Sequence, residues 1–248
     1  MTYARNTRIY AIGDIHGCAD QLRALLAIVA ADWEITGATD SSPTLLTLGD
    51  YIDRGPDTPA VMDLLLDGLP GFEQINLRGN HEELLFAWLG DGSVDDPEGH
   101  KELAFLRCGG LRTLRQYGIS VANLADYYSR TAEVRAEAQA RIPARHLGFL
   151  RASRLYHETE ALFFAYAGVR PGVPLAENTV QDLLWIRSGF LDDRTPHPKL
   201  IVHGHTAEGP TVLPNRINLD SKCFGTGMLT CGVFASDSRR FRLLQVPG

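Results

Sequence analysis

The sequence predicts an α/β fold built from two mixed sheets packed face to face and flanked by helices. Three observations carry this reading. First, the apolar runs Ile9–Ile12, Thr44–Leu48 and Gln74–Leu77 read as buried strands, and each leads into a segment with helical character. Second, each strand-to-helix junction holds a polar motif: Gly13-Asp14-Ile15-His16-Gly17, then Gly49-Asp50-Tyr51-Ile52-Asp53-Arg54-Gly55, then Arg78-Gly79-Asn80-His81-Glu82. Third, later apolar runs at Ala161–Ala167, Leu200–Val202 and Gly227–Phe234 read as further strands, a pattern that supports two sheets.

Taken in order, Ala19–Ala31 spaces Leu22, Leu25, Leu26 and Val29 along one helical stripe that packs on a sheet. A polar loop, Thr36–Pro43, leads to the second strand. Thr58-Pro59 opens the helix Ala60–Leu66, with proline tolerated in the first turn because its missing N–H has no partner there. The third motif enters a helix through Glu82–Leu89. Gly90–Gly99 is rich in Gly and Asp and reads as a loop. Lys101–Arg151 reads as mainly helical with breaks at Gly109-Gly110 and Gly118, and Ala132–Arg141 is its clearest helix. Residues 91–151 are therefore expected to form a helical cap insertion within a single domain spanning 1–248. A short helix, Asp182–Ile186, separates the first two of the later strands.

A chain of 248 residues suffices for one packed domain, and 44% hydrophobic with 22% charged residues is ordinary for a globular protein. The formal net charge of −6 argues against non-specific nucleic acid binding. The sequence offers no signal-like apolar core and no spanning segment, so neither a membrane nor export is expected, and the cytoplasm is the expected compartment. Cys18, Cys108, Cys223 and Cys231 form no C-x-x-C pair, which disfavours a disulfide framework or a zinc ribbon.

The motifs deliver Asp14, His16, Asp50, Asp53, Asn80 and His81 from the carboxyl ends of three strands, where open α/β sheets place their ligand sites. Two cations bound side by side need a bridging carboxylate, further oxygen and nitrogen donors, and room for a water. Asp14 and His16 suit one ion and Asn80 the other, with Asp50 between them. The activated water would serve as nucleophile in an in-line phosphoryl transfer. His81, beside Asn80, would protonate the leaving oxygen while Asp53 fixes its imidazole. Arg54 offers a bidentate fork for phosphate. Taken singly, Asp14 and Asp50 could equally cap helices. The full set is what favours chemistry.

The motif trio resembles the phosphoprotein phosphatase family of calcineurin-like metallophosphoesterases, whose signature reads GDxHG, GDxxDRG and GNHE, matched here in order. Further along, Phe163–Gly172 resembles the family segment ending in H-A-G-x-R-P, Leu184-Trp185-Ile186-Arg187 its L-W-x-R element, and His203-Gly204-His205-Thr206 its G-H-T element. Within the family the sequence is most similar to the small bacterial Ser/Thr protein phosphatases, which are themselves similar to symmetrical diadenosine tetraphosphate hydrolases. The resemblance implies a calcineurin-like metallophosphoesterase fold. It implies that Asp14, His16 and Asp50 bind one metal, and that Asp50, Asn80 and His205 bind a second. It further implies that His81 and Asp53 form the proton-donor pair, and that Arg54 and Arg187 grip the phosphate. The cofactors it implies are two divalent ions, with manganese the usual activator and iron or zinc as alternatives.

One position departs from the pattern. Where the family places a metal-binding histidine, this chain has Tyr166. A phenol must shed a proton with pKa near 10 before it binds a metal as strongly as an imidazole, a cost of ~4 kcal/mol at neutral pH. A weakened second site is therefore expected, with a ferric phenolate as the bolder alternative and His203 as a possible compensating ligand. Lys222, in Asp220-Ser221-Lys222-Cys223, is expected to face solvent. Tyr51 and Trp185 are expected to pack, and His100, His146, His157 and His197 to lie on the surface or in loops.

The expected activity is hydrolysis of phosphate monoesters by a metal-bound hydroxide with His81 as general acid, phosphoserine or phosphothreonine in proteins being the leading substrate. The alternatives are a dinucleoside polyphosphate or other small phosphoester hydrolase, and an impaired phosphatase that binds phosphorylated partners.

Overall fold

A computed structural model describes residues 8–36, 42–91 and 100–248. Three strand–helix units come first: β1 (Arg8–Ile12), α1 (Ala19–Thr36), β2 (Thr44–Thr47), α2 (Thr58–Asp67), β3 (Glu73–Asn76) and α3 (Asn80–Leu89). A helical segment follows, with α4 (His100–Phe105), α5 (Leu111–Gln116), α6 (Leu124–Ser129), α7 (Thr131–Arg141) and α8 (Ala144–Ala152). The chain then runs through β4 (Tyr156–Glu158), β5 (Leu162–Ala165), α9 (Val180–Trp185), β6 (Leu200–His203), β7 (Thr211–Val212), β8 (Arg216–Asn218), α10 (Cys223–Thr226), β9 (Leu229–Ala235) and β10 (Phe241–Val246). Most of the expected loop at Gly90–Gly99, and residues 37–41 of the loop before β2, lie outside the described residues.

Among the described residues both sheets have five strands, and both are mixed, as expected. The first runs β10-β9-β1-β2-β3, with β1, β2 and β3 parallel and β9 and β10 antiparallel beside them. The second runs β4-β5-β6-β8-β7, with a parallel centre and antiparallel edges. Strand alternation explains how they pack. Ile9 and Ala11 of β1 join Leu46, Ile75, Leu162, Phe164, Leu200, Val202 and Ile217 in the core between the sheets. Tyr10 and Ile12 point the other way, where Leu22, Leu25 and Val29 of α1 and Val61 and Met62 of α2 cover them. On the far face of the second sheet, Phe163, Ala165 and Ile201 pack with Leu183 and Phe190.

The helix boundaries follow from local chemistry. The Asp57 carboxylate accepts from the Ala60 N–H at 3.0 Å to start α2, and Gly90 ends α3 in the left-handed conformation. The short strands β4, β7 and β8, of two or three residues, carry too little apolar pattern to read from sequence, and β10 is only half-buried. His146 corrects a surface assignment: it is 2% exposed, with ring nitrogens 2.9 Å from Tyr117 Oη and 2.9 Å from Asp63 Oδ1, tying α8 to α2. His197 is also buried, against Phe190.

Candidate active site

The three motif loops lie against one another beyond the ends of β1, β2 and β3. The N–H groups of Ile15 and His16 donate to the Asp50 carbonyl at 3.2 and 2.8 Å, and Gly17 N–H donates to the Tyr51 carbonyl at 2.8 Å. Two glycines permit this approach. A Cβ on Gly55 would lie 1.7 Å from the His16 carbonyl oxygen, and one on Gly79 would lie 2.1 Å from Asp50 Oδ1. The strain concentrates here too. Among the described residues six non-glycine positions have positive φ, and five of them are His16, Asp50, Asp53, Arg54 and His205. Such backbone persists only where its surroundings over-determine it, and it gathers at functional sites.

Glu82 supplies much of that over-determination. Its carboxylate accepts from the Asp50 N–H at 2.9 Å, the Tyr51 N–H at 2.9 Å and the Gly79 N–H at 2.8 Å, joining the second motif to the third. The Asp50 carboxylate in turn accepts from the His81 N–H at 3.1 Å.

Around this scaffold the side chains converge. His16 donates from Nδ1 to the Ile52 carbonyl at 2.8 Å, which turns Nε2 toward the cluster, 3.2 Å from Asp50 Oδ2. A backbone acceptor that fixes the tautomer in this way is the usual support of a metal-binding histidine. Among the described residues, His16, Asp50 and His81 present ligand atoms all within 4.8 Å of one another. Asp14 accepts from the His205 N–H at 3.2 Å, and Asn80 Oδ1 is buried with no hydrogen-bond partner. An orphaned buried amide oxygen beside buried carboxylates fits a cation ligand.

Tyr166 stands in the middle of this set. Its hydroxyl lies 3.0 Å from Asp14 Oδ2, in hydrogen-bonding contact with Asp50 Oδ2, and 3.3 Å from His205 Nδ1. One O–H can serve only one carboxylate at a time. Burial, with Asp14 and Asp50 alongside, pushes its pKa well above the ordinary phenol value, so it is a neutral phenol in this setting.

The remaining residues form the rim. His81 Nδ1 donates to Asp53 Oδ2 at 2.6 Å, and both side chains are buried. The Arg54 guanidinium lies 3.3 Å from His16 Nε2 and over the Phe224 ring at 5.0 Å, while Arg187 Nε lies 3.1 Å from His205 Nε2. Arg187 also opens onto a cavity of about 410 Å³ lined by Trp185, Asp182 and Arg170.

The electrostatics are those of crowded negative charge. Burial raises Asp14 well above the usual carboxylate range, and Asp220 and Asp50 add to it; Asp220 is itself raised, chiefly by burial. Burial opposes ionisation of Asp50 as well, but the His81 and His16 charges outweigh it and hold that carboxyl low. Burial likewise disfavours a charged His81, yet Asp50 and Asp53 lift its pKa above the ordinary histidine value. His205, desolvated by burial, is held down at about 4 and stays a neutral donor. A buried excess of carboxylate calls for a cation.

The structure thus brings Asp14, His16, Asp50, Asp53, Arg54, Asn80, His81, Tyr166, Arg187 and His205 into one place. It does not bring His203 there. That ring packs edge-on against Phe190 at 5.0 Å, on the far face of the second sheet, with Nδ1 3.0 Å from the Gly204 carbonyl oxygen. Lys222 faces solvent, and Tyr51 is fully buried, its hydroxyl bonded to Thr47 and the Leu77 carbonyl. Three residues at the site had no role in the sequence reading: Glu82, although it lies within a motif; Asp220; and Thr113, which contacts Asp53.

Comparison with known proteins agrees with this geometry. The chain is 26% identical over 194 residues to serine/threonine-protein phosphatase 1 of Salmonella typhimurium, covering 77% of this chain and 74% of that one. It is 37% identical over 79 residues to a symmetrical bis(5'-nucleosyl)-tetraphosphatase of Acidovorax sp., covering 32% of this chain and only 25% of the relative. A crystal structure described as that of a proposed diadenosine tetraphosphatase shares the fold, with TM-score 0.63 at 23% identity over 98% of this chain and 94% of the other. The calcineurin-like phosphoesterase profile matches residues 7–222, from the first strand to the loop after Asp220. By that match and by the fold, the chain belongs to the calcineurin-like phosphoesterases.

Proposed function

We propose that this chain is a phosphate monoesterase, with phosphoserine and phosphothreonine in proteins as its leading substrates and His81 as the general acid. The observation that carries the reading is the buried His81–Asp53 pair, 2.6 Å apart, beside the carboxylates that would hold the metal. Asp50 keeps His81 charged, and Asp53 aims it by holding Nδ1, so that Nε2 is free to deliver a proton to a leaving oxygen. Arg54 and Arg187 flank the carboxylate cluster and would orient the phosphate oxygens and offset their charge.

Asp14, His16 and Asp50 would hold a first divalent ion, and Asp50, Asn80 and His205 a second, manganese being the first choice. Bound there, such ions supply Lewis acidity and lower the pKa of water at the site. Tyr166 occupies a position that would otherwise offer a donor, and its phenol competes for Asp14 and Asp50, so the second site is the weaker. Residues 91–151 would act as a cap within a single domain of 1–248. The four free cysteines suit a reducing compartment, and we assign the cytoplasm. No helix among the described residues is long and apolar enough to cross a membrane.

A second reading, hydrolysis of dinucleoside polyphosphates, draws on the local similarity to the Acidovorax tetraphosphatase and on the cavity beside Arg187, where Trp185 offers a surface for a base. Turnover of phosphopeptides, diadenosine tetraphosphate and p-nitrophenyl phosphate by the manganese-loaded protein separates the two. Phosphopeptide turnover supports the first reading, and rapid dinucleotide cleavage without it supports the second. Tight phosphopeptide binding without turnover would instead make the chain a binding module.

A further inference from the structure

We infer that Thr113, on the helical segment, is a positioning residue for proton donation, because its hydroxyl closes a two-way contact on Asp53, the partner of His81. The inference rests on the reading of His81 as general acid. Thr113 is 1% exposed. Its Oγ1 accepts from the Asp53 N–H at 3.0 Å and donates to Asp53 Oδ1 at 2.5 Å, while Asp53 Oδ2 accepts from His81 at 2.6 Å. The two oxygens of one carboxylate are therefore committed, one to the acid and one to Thr113. The backbone of Asp53 has φ 70°, and the Thr113 hydroxyl is what its N–H bonds. Nothing local to the second motif supplies these bonds.

Neighbouring residues make the same contact rigid. A Cβ on Gly109 would lie 2.8 Å from Asp53 Cβ, so the helical segment already touches the loop closely. Gln116, one turn beyond Thr113, donates to the carbonyls of Gly55 and Pro56 at 2.9 and 2.6 Å and accepts from the Thr58 N–H at 3.0 Å. Thr113 is thus held against the loop from both sides. The helical segment would then complete the acid–base machinery as well as shape the cleft.

The test exploits the leaving group. A general acid matters for an ester whose leaving oxygen must be protonated and little for one that departs as a stable anion. Thr113→Val keeps the shape and deletes both hydrogen bonds, whereas Thr113→Ser keeps both. In the manganese-loaded full chain, Thr113→Val is expected to lower kcat on phenyl phosphate by about 10- to 100-fold, within the range a general acid commands, with KM changed by less than about twofold. On 2,4-dinitrophenyl phosphate the expected loss is about threefold or less, and Thr113→Ser behaves as wild type. His81→Ala, measured in parallel, should show the same asymmetry more strongly. If it does while Thr113→Val loses equally on both esters or on neither, Thr113 only supports the fold and the proposal is overturned. If His81→Ala itself shows no asymmetry, the general-acid reading fails, and this proposal with it.

Discussion

Replacing Glu82 with alanine tests how the site is held together. The substitution removes the acceptor of three buried N–H groups, those of Asp50, Tyr51 and Gly79, and changes none of the side chains that would hold the metal or the proton. Each buried N–H left without a partner costs about 1–3 kcal/mol, and water entering the vacated space recovers part of that. A net loss of about 3–5 kcal/mol follows. For a chain of this size each kcal/mol shifts the melting midpoint by ~2–4 °C, so a drop of roughly 6–20 °C is expected by calorimetry. Glu82→Gln keeps the shape but turns one oxygen into a donor. With the amide oxygen toward Asp50 and Gly79, only the Tyr51 N–H loses its partner, and the loss should be about 1–3 kcal/mol. The metal affinity of Glu82→Ala should also fall, because Asp50 sits at positive φ in a loop that Glu82 pins. A Glu82→Ala protein that melts within about 2 °C of wild type and binds manganese unchanged would refute this account of the clamp.

Three further expectations follow from the same geometry. Because Asp50 and Asp53 lift the His81 pKa, the acid is charged below that raised value and lost as pH rises through it; the basic limb of kcat for phenyl phosphate should therefore lie above about 6.5 and vanish in His81→Ala, and a limb that survives that change contradicts the assignment. Gly55→Ala would place a methyl 1.7 Å from the His16 carbonyl oxygen, so a loss of about 3 kcal/mol or more, or failure to fold, is expected in denaturant titrations, and a neutral result would deny that the loops approach this closely. Chelation with EDTA should lower the melting midpoint because Asp14, Asp50 and Asp220 then crowd without a cation, and manganese at about 100 times its Kd should restore ~2.7 kcal/mol, or roughly 5–11 °C; a midpoint indifferent to metal would place the cation elsewhere.

Much of this site was legible because its chemistry is carried by contiguous motifs. Asp14, His16, Asp50, Asn80 and His81 each sit within two residues of a motif glycine, and those glycines are the points where the loops touch. What remained hidden depends on contacts between segments distant in sequence. Glu82 reads only as the start of a helix until the structure places the N–H groups of residues 50 and 51 on it. Thr113 sits 60 residues from Asp53 in a segment whose composition announces only helix. His203 shows how register decides function. Alternation along β6 sends Ile201 and His203 to the far face and Leu200 and Val202 to the inter-sheet core, and the chain turns at Gly204 so that His205 alone meets Asp14. A bend at the strand end would have been needed to bring His203 across. The short strands β4, β7 and β8 were missed because two or three residues carry no periodicity.

Counting metal tests the central claim most directly, since that claim is a family metal centre altered by Tyr166. Elemental analysis after equilibration with manganese and gel filtration should return one tightly held ion per wild-type chain, with the second dissociating. Tyr166→His, which replaces the phenol between Asp14 and Asp50 with an imidazole, should return two. Two tightly bound ions in the wild-type protein would show that Tyr166 does not weaken the second site, and would contradict the account.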